Sequence, residues 1–194
     1  RPQVWLSVAL FFLYVGAESS LGTWVYTLLT ESRHVDLTVA GFLAGSYWLT
    51  FTIGRIVAGM FANRVGVNKL VLGGLAGAIL GALLLIWNPA VSVNVLAIAL
   101  IGLSIAPIFP AMMSGTPARV GDHDAANTIG MQIAATGFGT AVIPSLMGVL
   151  ARQVSLEVIP LCLLGVYAGL LAFYLLAIRA QKTVKVAVEQ GESA

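Results

Sequence analysis

Six apolar runs, separated by short polar turns, leave this chain few folds to choose from. They cover Val4 to about Leu29, Leu37 to about Ala62, Leu70 to Trp87, about Val91 to Ser114, Ala125 to about Leu150, and about 156 to Ile178. About 20 apolar residues in an α-helix cross the hydrocarbon core of a bilayer, with about 17 as a lower limit. In lipid every backbone N–H and C=O must be paired internally, so runs of this kind span as helices. Charged residues make up 9% of the 194 residues, against about 25% in a soluble domain, so most of the exterior must meet lipid. The expected fold is an all-α membrane protein, a six-transmembrane-helix bundle over residues 1–180. Residues 181–194 form a polar tail with little to bury and are expected to be disordered.

The same composition excludes several functions. A formal net charge of +2, with no basic patch interleaved with aromatics, offers nothing to nucleic acid. Cys162, the one cysteine, lies in an apolar run as a packing residue with no internal disulfide partner. Asp122, His123 and Asp124 are consecutive and cannot easily converge on one ion, so a solvated loop and no metal are expected. His34 sits in the polar turn Glu31–Asp36 with no companion ligand and is expected to be solvated. No nucleophile–base pair or phosphate-cradling loop stands out, so neither an enzyme nor a cofactor is expected. The run from Val4 is too long for the apolar core of a signal peptide. The chain starts Arg1-Pro2-Gln3 and is expected to be a piece of a longer polypeptide.

Inside the first run sits an acid. Glu18 lies near the middle of FFLYVGAESSLGTWVY, with Tyr14, Ser19, Ser20 and Thr23 close by and Gly16 and Gly22 on either side. A carboxylate facing lipid at that depth costs several kcal/mol, about 2.5–3.5 on insertion scales. Glu18 is therefore expected to face protein or a water-filled cavity. The two glycines are expected to let the helix bend or partly unwind there, which membranes tolerate where backbone lines a cavity.

The other runs divide into polar and plain. The second carries the small-residue ladder Gly41, Gly45, Gly54, Ala58, Gly59, which permits close helix approach. Its aromatic pair Tyr47-Trp48 lies deep, either facing the cavity or packing. Arg55 is placed to snorkel to the interface or to make a structural or gating contact. The third run is rich in Gly, Ala and Leu and holds no charge between Leu70 and Trp87. The fourth carries Pro107 and Pro110, each of which removes a helix hydrogen bond, so a kink or joint is expected there. Ser114 to Asp124 reads as a loop. In the fifth, Thr128, Gln132 and Thr136 recur every four residues and share one face, as helix glue or as the lining of a water path. Gly137, Gly139 and Pro144 add flexibility to it. The sixth is apolar and plain.

An even number of spans puts both ends on one side. Assigning that side to the cytoplasm places Arg1, Arg64, Lys69, Arg119, Arg179, Lys182 and Lys185 inside and only Arg33 and Arg152 outside, which satisfies the positive-inside rule. The two triplets of spans also echo one another: Gly59-Met60-Phe61-Ala62 falls on Gly148-Val149-Leu150-Ala151, and Gly41 falls on Gly130. Because each triplet is odd, the second is inverted relative to the first, and a site at the interface of such repeats is expected.

The turn Gly59-Met60-Phe61-Ala62-Asn63-Arg64-Val65-Gly66-Val67-Asn68-Lys69 resembles the signature loop G-x-L-A-D-R-x-G-R-K of the major facilitator superfamily, which joins the second and third helices of each half. Asn63 stands where that loop has an acid, and Val67 and Asn68 where it has basic residues. Tyr14-Val15-Gly16-Ala17-Glu18 with Gly22-Thr23-Trp24 resembles the seventh helix of the fucose–galactose–proton symporter and sugar-permease branch, and Pro107-Ile108-Phe109-Pro110 and the Gly137…Pro144…Gly148 run resemble its tenth and eleventh. The resemblance implies half of a major facilitator fold, two inverted three-helix repeats corresponding to helices seven to twelve of a longer transporter.

On that resemblance the expected function is a secondary active transporter half moving a sugar or similar small polar solute by alternating access, with protons as a candidate coupling ion. Tyr14, Glu18, Gln132 and Thr136 would offer hydrogen bonds, and Trp24, Tyr47 or Trp48 would stack on a sugar ring. Gly16, Gly22, Arg55, Gly59, Asn63, Arg64, Gly66, Pro107 and Pro110 would serve gating or structure. The implied partners are the solute, the lipid bilayer, and a missing N-terminal six-helix half or a second copy. The setting is a plasma or bacterial inner membrane with both termini cytoplasmic. Two alternatives stay open: a drug or organic-anion exporter of the same superfamily, and a self-associating six-helix membrane protein.

Overall fold

The computed structural model describes residues 2–191, and within them the side chains of 2–61 and 64–181. Among the described residues every regular element is helical: α1 (Pro2–Thr27), continued by a π-helical turn (Leu28–Ser32), α2 (Leu37–Val65), α3 (Val67–Trp87), α4 (Val91–Ile105), α5 (Ile108–Ser114), α6 (Thr116–Val120), α7 (Asp122–Gln153) and α8 (Val158–Gly191). Six spans are long and apolar enough to cross a membrane, the fourth made of α4 and α5 together.

Local sequence sets the breaks. Asp36 caps α2, its Oδ1 accepting from the N–H groups of Thr38 at 2.9 Å and Val39 at 3.2 Å, two of the donors a helix start leaves unpaired. Gly66, at φ 83° and ψ 151°, supplies the sharp turn between α2 and α3 that a side chain would resist. Asn88 ends α3 in the left-handed region, and Pro89 cannot continue the helix. The fourth span is interrupted at Ala106–Pro107, as its prolines predict.

Four expectations change. The helix does not unwind beside Glu18: α1 is continuous past both Gly16 and Gly22. Its irregularity comes later, in the π-turn, where Val35 N–H reaches back to the Leu29 carbonyl at 2.9 Å. The stretch expected as a loop after Ser114 holds the short helix α6, with Pro117 near its start, where a fixed φ suits a first helical turn. The tail continues as helix to Gly191, for no glycine or proline falls between Gly169 and Gly191; residues 192–194 lie outside the described residues.

Packing follows the small residues. α1 lies along α7, with Gly139 so close to α1 that an added Cβ would strike the Phe12 carbonyl, and with Gly16 against Ile143. α4 lies between α2 and α3: a Cβ on Gly54 would come 2.6 Å from the Leu103 carbonyl, the one whose helical donor Pro107 removes, and Gly74 approaches the Ser104 carbonyl likewise. α8 packs on α1 and α3. Exchanging the first three spans for the last three maps α1–α7 onto α4–α2, α3–α4 onto α8–α1, and α2–α3 onto α7–α8, so these pairings repeat as the inverted triplets require. The ladder expected in α2 splits: Gly54 is a contact point, whereas Gly41, Gly45 and Gly59 face open space.

Candidate functional site

The i, i+4, i+8 spacing of Tyr14, Glu18 and Gly22 sets them on one face of α1, opposite Tyr47, Trp48, Phe51 and Arg55 of α2. The Glu18 backbone carbonyl accepts a hydrogen bond from the Tyr47 hydroxyl at 2.8 Å. Its carboxyl lies within hydrogen-bonding reach of the Tyr14 hydroxyl and within electrostatic range of Arg55. The Tyr14 hydroxyl donates to the Ile105 carbonyl at 3.0 Å, at the end of α4 beside the proline break. With its one hydrogen committed there, the Tyr14 oxygen is an acceptor toward Glu18. The carboxyl is thus turned toward protein, half-buried, with hydroxyls from two spans fixing its position.

Aromatic rings frame this acid. Trp48 stands edge-on to Tyr47 at 4.9 Å and to Phe51 at 5.9 Å, its ring over Gly22, where a Cβ would come 2.5 Å from it. It keeps 47% of its surface exposed. Arg55 is exposed and sits 4.5 Å over the Phe51 ring, a cation–π contact. Beyond it a cavity of about 660 Å³, lined by Arg55, Gly59, Pro107, Phe109, Pro110 and Ser114, continues between α2 and the α4–α5 break. That volume suits a small organic molecule, for which pockets run about 300–1,000 Å³.

The structure does not bring every expected residue to this wall. Tyr14 and Tyr47 are fully buried, so they hold Glu18 rather than present a surface of their own. Trp24 points its indole N–H at the Pro144 carbonyl, 3.0 Å away, and lays its ring on Gly148 of α7. Gln132 is 0% exposed and belongs to a closed network: its Nε2 donates to the Ser7 hydroxyl at 2.6 Å and the Thr116 hydroxyl at 3.1 Å. Arg119 completes that network through Thr116 at 3.1 Å and through the Met112 carbonyl. Thr136, partly exposed, returns its hydroxyl to its own helix, to the Ile133 carbonyl at 2.6 Å.

The family model of the Major Facilitator Superfamily matches residues 6–193. The chain belongs to the major facilitator superfamily. It is 29% identical over 177 residues to Bypass of stop codon protein 6 of Saccharomyces cerevisiae, covering 83% of this chain and 34% of that protein. It is 29% identical over 144 residues to the sodium-dependent glucose transporter 1 of Danio rerio (73% and 24%) and 28% identical over 150 residues to the glucose/mannose transporter GlcP of Bacillus subtilis (75% and 36%). The chain therefore spans about a third or less of the length of these curated relatives.

In this superfamily chain the stretch resembling the signature loop is the α2–α3 turn. Arg64 is exposed, and the side chain of Asn63 lies outside the described residues. Two groups escaped the sequence reading. Tyr167 of α8, in a span that looked plain, carries a buried hydroxyl with no partner among the described residues and lies within electrostatic range of Glu18. At the opposite end from the chain termini, Arg33 is 4% exposed and holds the Glu157 carboxylate through Nε at 2.9 Å and Nη2 at 2.7 Å, with Asn94 Oδ1 and the Leu85 carbonyl each 2.7 Å from the same guanidinium. This clamp joins the ends of four spans. Hydrogen bonding from Arg33 holds the Glu157 carboxyl below its usual range. The one hint in the sequence was a cation and an acid in turns that the span parity puts on one face.

Proposed function

We propose that this chain is the C-terminal half of a secondary active transporter that moves a sugar or similar small polar solute by alternating access. The observation that carries the proposal is Glu18, an acid held midway along a span with a half-exposed tryptophan on one side and a guanidinium on the other. That set offers what a polyhydroxylated ring needs: acceptors for its hydroxyls in Glu18 and Tyr14, and a flat apolar face in Trp48. Two of the similar proteins are named as glucose transporters, which supports the solute class. Protons are a candidate coupling ion, with Glu18 first a ligand and second a carrier. The exposed small-residue face at Gly41, Gly45 and Gly59 supports a further set of helices against α2, from the same polypeptide or a second copy. The excess of Lys and Arg on the side of the chain ends supports cytoplasmic termini in a plasma or bacterial inner membrane.

Uptake of labelled glucose by the full-length protein carrying Glu18→Gln tests this. Loss of apparent affinity or accumulation, with normal expression and melting temperature, is the expected result; unchanged uptake across a pH gradient removes Glu18 from the site. A second reading rests on Arg55, a cation on the same wall with its guanidinium accessible: an exporter of organic anions or drug-like anions. Competition of unlabelled sugars against organic anions for one labelled solute separates the two.

A further inference from the structure

A second pocket, of about 350 Å³, opens where α3 begins; its walls include Gly66, Val67, Asn68, Lys69, Arg119 and Gln181. We propose that it binds a phosphate group, carried by an anionic phospholipid headgroup or free in solution. By span parity it lies on the side of both chain ends, away from the wall around Glu18.

Three features of different origin converge there. α3 is 21 residues long, and no side chain caps its start. Its first backbone bond runs from Leu70 N–H to the Gly66 carbonyl at 3.2 Å, so the N–H groups of Val67, Asn68 and Lys69 precede any helical acceptor and face the turn. Such a terminus favours an anion through its aligned dipoles. Arg119 is the second feature. It is 9% exposed, lines the pocket, and its Nε has no hydrogen-bond partner. Gly115 beside it leaves room for the guanidinium, since a Cβ there would come 2.8 Å from Arg119 Nη1. Third, Lys69 is exposed at the pocket mouth and no carboxylate lines the pocket. The nearest polar side chain, Asn68, is already held: its Oδ1 accepts from the Tyr174 hydroxyl at 2.9 Å, which fixes the first turn of α3 on α8. A cation with an unfilled donor, a flexible cation at the rim and an uncapped helix start match the charge-assisted contacts that phosphate oxygens make.

The test uses the protein at its full natural length, in wild-type form and as Lys69→Gln, whose exposed position keeps the fold out of the comparison. One arm measures lipid retained in native mass spectrometry after reconstitution in equal phosphatidylglycerol and phosphatidylcholine. The other measures the melting temperature in detergent with millimolar inorganic phosphate against chloride. The expected result is roughly tenfold retention of phosphatidylglycerol over phosphatidylcholine, reduced severalfold by Lys69→Gln, as loss of one charge-assisted contact implies. Stabilisation by inorganic phosphate that depends on Lys69, without a lipid preference, supports the site and assigns it to free phosphate. Equal retention of both lipids with no phosphate effect, or effects of either kind that Lys69→Gln leaves untouched, overturns it.

Discussion

Two polar clusters lie within the spans, and they differ in one respect. Around Gln132 the circle is closed: Ser7, Thr116, Arg119 and the Met112 carbonyl meet one another and the amide, and the residue shows no surface. Around Glu18 the circle is open: Tyr14 and Tyr47 hold the acid from behind, while the carboxyl, Trp48 and Arg55 keep an accessible side. A polar group in a membrane span must be satisfied from somewhere. When protein alone does it, the group joins helices; when one side is left for something else, the group is a candidate ligand site.

The contrast can be broken by mutation, and the largest effect belongs to the open cluster. Glu18→Gln is expected to weaken solute affinity about ten- to hundredfold, the worth of about 1.4–2.8 kcal/mol from a charge-assisted hydrogen bond, with the melting temperature nearly unchanged. Radiolabelled uptake alongside thermal unfolding in detergent reads both. Gln132→Leu is expected to do the reverse. It strands the Ser7 hydroxyl in a dry interior and costs about 1–3 kcal/mol of stability, measured by unfolding, while solute affinity in the surviving folded protein stays within error.

The tryptophans sharpen the same comparison. Trp24→Ala empties the space over Gly148 and abandons the Pro144 carbonyl, so about 2 kcal/mol of stability is expected to go, near the low end for large-to-small changes because the ring is half-buried. Trp48→Ala is expected to leave stability close to wild type and raise the apparent KM for uptake. Equal behaviour of the two would dissolve the distinction between the walls of α1. Two glycines of α7 make a smaller, internally controlled pair. Gly139→Ala meets the Phe12 backbone and is expected to cost about 1 kcal/mol or more, whereas Gly137→Ala, which meets open space, is neutral in the same assay.

The smallest effect concerns the clamp at the far end. Glu157 has its folded value depressed by Arg33, so its contribution to stability is present above the unfolded carboxyl value, about 4.3, and is lost as pH falls through the lower folded value. Because Glu157 is 43% exposed, solvent screening keeps the pair to about 1 kcal/mol or less. Unfolding followed from neutral pH to about pH 3 is expected to show an acid-side decline that Glu157→Gln flattens; an identical slope in both proteins would assign the decline to other groups.

Residues with a one-dimensional signature were legible before any coordinates. Glu18 announced itself because an acid is rare within an apolar run, and Pro107 announced the break because its missing N–H acts wherever the chain goes. Gln132 and Trp24 were misplaced because a polar or aromatic residue in a helix looks the same whichever neighbour it faces. Arg33 and Glu157, 124 positions apart, gave no sign that one would bury its guanidinium on the other.

Hydropathy along the chain determined the spans, their number and their helical state, since burying backbone in hydrocarbon admits little else. Rotation of each helix about its axis was decided only by tertiary structure. It is fixed where Gly139 meets the Phe12 carbonyl and Gly54 meets the Leu103 carbonyl, and those contacts choose which polar side chains are sealed between helices and which are left facing a solute.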